Sequence, residues 1–113
     1  MPGPLSHLRV VEMAAAIQGP AAGLFLSDMG AEVIKVESPL GEANRHYRGA
    51  GNTLSAEAPG SQFVAMNRGK QSVCLDIHTE LGLQAINRMI ARADVFLSNF
   101  REKALVRMGL DYD

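Results

Sequence analysis

Asn99-Phe100-Arg101, followed by Arg107, is a stretch whose residue types and placement suit ligand chemistry. It falls between a strand-like run and a helix-like run, where free backbone N–H groups and the helix dipole favour an anion such as a phosphate. Arg101 can add a bidentate, charge-assisted contact. Arg107 lies about two helical turns further along. A plain surface reading competes for both arginines, and a core reading competes for Phe100.

Other chemistries are poorly served. His7, His46 and His78 lie far apart, and no Cys or carboxylate pair completes a ligand set, so no metal is expected. No Ser-His-Asp or Cys-His grouping is visible, and Cys74 reads as a small core residue rather than a nucleophile. The segment Gly49 to Leu54 misses the third glycine of a dinucleotide fingerprint and follows no strand. Arg68-Gly69-Lys70-Gln71-Ser72 imitates only the end of a phosphate loop, since Gln71 intervenes and a strand follows. A receiver domain has about this length. It would need paired acids after its first strand, which Glu12-Met13 does not supply.

The elements that must position these residues alternate in type. Leu8 to Met13 reads as a first strand, and Gly19-Pro20 opens a helix, because proline suits the first helical position. Ala21, Leu24, Phe25 and Met29 form an apolar stripe at helical spacing, with Gly30 as a C-terminal cap. Glu32 to Glu37 is a short β-branched strand. Residues 38–61 are expected to form a long polar loop punctuated by glycine and proline, the kind that is usually functional or mobile. A short helix is expected over Gln62 to Asn67, and a strand over Ser72 to Ile77. Thr79 is a good N-cap for a helix that buries Leu81, Ala85, Ile86, Met89, Ile90 and Ala93. Asp94 to Ser98 is a fourth strand, and a last helix, Glu102 to Met108, ends at Gly109. This order argues for an α/β fold, a parallel doubly wound sheet with flanking helices. Such sheets bind ligands beyond the carboxyl ends of their strands. The segments to inspect are therefore Ala14 to Pro20, Ser38 to Gly41, His78-Thr79 and Asn99 to Arg101.

Composition bounds the reading. At 113 residues the chain reads as one domain, 1–113, and at 47% hydrophobic it has material for a core. Eleven Lys and Arg against twelve Asp and Glu give a net charge of −1, so no global basic field is expected to hold nucleic acid or an anionic membrane. A single cysteine fits a reducing compartment. No signal-like N-terminus and no run of about 20 apolar residues appear, which together imply a cytoplasmic protein.

Several blocks stand out in order: Gly19-Pro20; Gly30 to Glu37; Asn67 to Asp76; and Ala93 to Arg101, followed by Arg107 to Leu110. Together they resemble the N-terminal part of the class III CoA-transferases, which include carnitine, formyl- and bile-acid CoA-transferases and α-methylacyl-CoA racemase. The resemblance runs from Leu5 to Tyr112. It implies a Rossmann-like domain that contributes part of a coenzyme A site, with acyl-CoA as substrate. It places Leu75 and His78 along the nucleotide, Asn99, Phe100, Arg101 and Arg107 at the strand-end grip, and Ile17 and Gln18 at the thioester end. The parent reaction it implies is transfer of CoA between carboxylic acids through an aspartyl intermediate. The family's catalytic aspartate is expected well beyond Asp113, so none of the acids here is assigned that role.

Three departures bear on affinity. His78 stands where the family usually has lysine, Ser38 follows Glu37 where some members carry a basic residue, and Gly69-Lys70-Gln71-Ser72 replaces a common Asn-Lys-Arg-Ser run. A rival reading is a non-catalytic, truncated or stand-alone module that self-associates or binds a partner chain. The family's interlocked dimers imply a homodimer or larger assembly in either case.

Overall fold

The structure, a computed structural model, describes residues 2–48 and 57–113. The Gly49 to Leu54 segment and the middle of the 38–61 loop lie outside the described residues.

Four strands, β1 (Arg9–Met13), β2 (Glu32–Glu37), β3 (Gln71–Cys74) and β4 (Val95–Ser98), form one parallel sheet in the order β3-β2-β1-β4. The connections are α1 (Gln18–Asp28), then a short 3-10 turn (Ala43–Arg45) with α2 (Ser61–Asn67), then α3 (Glu80–Ala91); α4 (Glu102–Met108) follows β4. The chain moves outward from β1 to β3, then returns to pair β4 on the other side of β1. That reversal makes β1 and β4 the switch point of a doubly wound sheet. Fold class and element order match the sequence reading. Among the described residues, no helix is long and apolar enough to cross a membrane.

Alternation along the strands sends successive side chains to opposite faces. One face carries Val11, Met13 and Val36, which pack with Ile86 of α3 and with Leu105 and Met108 of α4. The other carries Val10 and Val33, which pack with Leu26 of α1. Val10, Val11 and Ile86 are wholly buried, each contributing roughly 1.5–3 kcal/mol of burial free energy.

Details depart from expectation for local reasons. Phe25 and Met29 are exposed; α1 instead buries Gly19, Pro20, Gly23 and Leu24, so small residues let it approach the sheet closely. Leu81 is also exposed, because α3 turns Gly82 and Ile86 inward. The third strand stops at Cys74, and Leu75 donates its N–H to the Glu37 carbonyl at 2.9 Å. Asp76 then turns the chain, accepting from His78 N–H at 3.0 Å, and delivers it to the Thr79 cap. Cys74 is exposed rather than core, since β3 is an edge strand with a neighbour on one side only.

Candidate functional site

The carboxyl ends of the strands surround a cavity of about 580 Å³. Met13 to Ala15 after β1, Glu37 to Ala43 after β2, Leu75 to His78 after β3, and Phe100 with Met108 from the β4–α4 side form its walls. Most of these side chains are apolar; the polar ones are Glu37, Ser38 and Glu42 on the β2 side and Asp76 and His78 after β3. The cavity sits where the fold directs ligands.

Beside it, the turn after β1 is tied down by side chains from elsewhere in the chain. Lys35 Nζ donates to the Ala14 carbonyl at 3.0 Å. Asn99 brackets Ala15, accepting from its N–H at 3.0 Å and donating to its carbonyl at 2.7 Å. Glu42 Oε1 accepts from the Ala16 N–H at 3.0 Å, and Asn44 Nδ2 donates to the Ala16 carbonyl at 3.0 Å. Ala16 has φ 66°, and it is the sole described non-glycine residue with positive φ. A left-handed alanine costs about 1–2 kcal/mol, so these bonds hold a conformation the residue would not choose. Ile17 and Gln18 follow directly and begin α1.

Beneath the turn lies a buried ionic network. Lys35 Nζ donates to Glu12 Oε2 at 3.0 Å and lies 2.6 Å from Glu42 Oε2, a close ion pair without hydrogen-bond angles. Lys70 Nζ donates to Glu12 Oε1 at 2.8 Å, to the Pro20 carbonyl at 2.8 Å and to Asn67 Oδ1 at 2.9 Å. Burial pushes the Lys70 ammonium below its ordinary value, against the pull of Glu12. Arg45 grips Glu37 with two bonds of 2.7 Å and stacks over the Phe63 ring at 4.0 Å. By itself burial would raise the Glu37 carboxyl. The Arg45 guanidinium, the Glu42 N–H and the Ser72 hydroxyl overcome it and hold the group at about 2. Gly23 makes room for the network, since a Cβ there would lie 2.0 Å from Glu12 Oε1.

The sequence-expected residues divide into three groups. Leu75, His78 and Phe100 line the cavity together. Ile17, Gln18 and Asn99 gather around the Ala15–Ala16 turn, where both Asn99 side-chain groups are engaged by Ala15. Arg101 and Arg107 belong to α4: Arg101 is its N-cap, exposed and without a side-chain partner among the described residues. Arg107 donates to the Lys103 carbonyl at 3.3 Å beside a shallower groove formed with Glu102 and Val106. Sequence reasoning missed Glu12, Lys35, Glu42 and Lys70. For Glu12 and Lys35 a signal existed, an acid and a base inside otherwise apolar parallel strands; Glu42 and Lys70 lie outside the strands, and nothing in the sequence paired them with the other two.

Comparison with known proteins adds the following. A sequence profile described as CoA-transferase family III matches residues 5–113. Succinate–glutarate CoA-transferase of Agrobacterium fabrum is 41% identical over 113 residues, covering 97% of this chain and 28% of that protein. Cinnamoyl-CoA:phenyllactate CoA-transferase of Clostridium sporogenes is 39% identical over 108 residues, covering 96% and 26% respectively. The crystal structure of a CAIB/BAIF family protein from Brucella suis superposes with a TM-score of 0.89 at 42% identity, covering 99% of this chain and 30% of that one. The chain thus spans less than a third of the length of these relatives.

Proposed function

The chain belongs to CoA-transferase family III, and we propose that it supplies part of a coenzyme A site in a protein that moves CoA between carboxylic acids. Residues 1–113 would act as one CoA-binding α/β unit. The observation that carries this reading is the cavity at the strand carboxyl ends, which gathers Leu75, His78 and Phe100. Its apolar wall suits the planar base of the nucleotide. Arg101, just beyond β4 and without a side-chain partner among the described residues, suits a phosphate, and Arg107 adds positive charge on the same helix. Ile17 and Gln18 would stand at the thioester end.

The chemistry itself needs a carboxylate that this chain is not assigned. An aspartate would attack the acyl-CoA thioester, expelling the CoA thiolate and leaving a mixed anhydride. The thiolate would then attack the aspartyl carbonyl, releasing the acyl group as a carboxylate and leaving CoA as an aspartyl thioester. This chain's part is to bind and orient CoA.

Calorimetric titration of CoA into the 113-residue chain, beside Arg101→Ala, tests the proposal. Saturable binding, weakened in the variant by roughly 1.5–3 kcal/mol as for a lost charged hydrogen bond, is the expected result. No heat from a folded wild-type sample would overturn it. A second reading, a non-catalytic module that self-associates or binds a partner chain, is favoured by exposed apolar side chains: Phe25 at 64%, Val64 at 54% and Leu81 at 79%. Light scattering at high concentration would show a dimer or larger species under that reading, and a strict monomer would exclude self-association.

A further inference from the structure

We infer that Asn44, acting with Glu42, is a positioning residue that holds Ala16 in its left-handed conformation and so presets the Ile17–Gln18 start of α1. This rests on the proposed CoA site and deepens it. Ala16 is non-glycine at φ 66°, and its two backbone polar groups are taken by Glu42 Oε1 and Asn44 Nδ2 at 3.0 Å each. Both anchors come from the β2 side of the cavity, with Asn44 inside the 3-10 turn. The turn is therefore fixed relative to the wall that Pro39 to Ala43 forms across the cavity.

Glu42 is itself fixed from two further directions. Its N–H donates to Glu37 Oε1 at 2.9 Å, and its Oε2 faces Lys35 at 2.6 Å. The ionic network therefore ends on the backbone of the turn. A turn organised before the ligand arrives spares the ordering loss that binding would otherwise impose.

Asn44 is half-buried and uncharged, so Asn44→Ala is expected to fold. Asn44→Asp keeps the shape but removes the donor. NMR on the isotope-labelled full chain reads the turn without any ligand. The wild-type Ala16 carbon shifts should report a left-handed residue. In both variants they should move toward averaged values, with amide exchange at Ala16 and Ile17 faster by roughly tenfold as the turn opens locally. CoA affinity, measured on the same samples, should fall by roughly fivefold, the scale of one lost hydrogen bond. Unchanged shifts and exchange would overturn the inference, whatever CoA does. A loosened turn with unchanged CoA affinity would overturn its positioning role. A wild-type chain that binds no CoA would instead overturn the proposed site, while the ligand-free spectra still decide whether Asn44 holds the turn.

Discussion

On the face of β1 and β2 that α3 and α4 cover, Val11, Met13 and Val36 pack on Ile86; on the opposite face the strands begin with Val10 and Val33 and then turn to Glu12, Lys35 and Glu37. Both faces are buried, and they are buried by different physics. Apolar burial is non-directional and tolerates small changes of volume and contact. An ionic network is directional: each group must meet a partner at one distance and angle, and desolvation penalises any that do not. The ionic half lies toward the carboxyl ends, where it fastens the turns around the cavity. The apolar face supplies cohesion, and the ionic face supplies geometry.

The largest effect should come from breaking the ionic face. Lys35→Met removes the cation between Glu12 and Glu42 and leaves Glu42 without its buried counter-charge. Losing one partner of a buried pair costs about 3–5 kcal/mol. Ile86→Val deletes one methylene from the wholly buried centre of the other face, for about 0.5–1.5 kcal/mol. Urea unfolding of both variants measures the contrast. Equal losses would mean that the two faces do not differ in the way described.

Acid should act on the ionic face alone. Glu37 is held at about 2 against 4.5 for the unpaired group. A depressed carboxyl stabilises the fold above its unfolded value, so the contribution is complete above about pH 4.5 and is lost as pH falls toward 2. The shift corresponds to as much as about 3 kcal/mol. Urea midpoints between pH 6 and 2 should drop along this limb, and Glu37→Gln should flatten it at the expense of lower stability at pH 6. A limb that survives unchanged in Glu37→Gln would assign the acid sensitivity to another carboxylate.

The same contrast explains what was legible in the sequence. Strand and helix order followed from β-branched runs, from Gly19-Pro20, which falls in the first turn of a helix that starts one residue earlier at Gln18, and from the Thr79 cap, because these signals are local. The strand ends singled out in the sequence surround a cavity, and Leu75, His78 and Phe100 are among the residues that line it. The ionic network was not legible. Glu12 and Lys70 lie 58 positions apart in the chain, and their pairing exists only once the segment leading into β3 lies against β1 and α1. Phe25 and Leu81 were misplaced for a related reason: helical spacing defines a stripe, but the partner's contour decides which part of it is covered.

The smallest effect sharpens the comparison from the apolar side. Thr79 Oγ1 accepts from the Gly82 N–H at 3.1 Å and donates to the Asp76 carbonyl at 2.7 Å, a directional contact on the helix that covers the apolar face. Thr79→Ala should lower stability by about 1 kcal/mol, the usual loss for an N-cap. If geometry is set by the ionic face, this loss should remain local to α3, with faster exchange at Gly82 and none at Ala16. The mutation spares every group that touches the Ala14–Ala16 turn, so stability and turn order should separate. Exchange that quickened equally at both places would show instead that the turn follows global stability, and the division of labour between the faces would not hold.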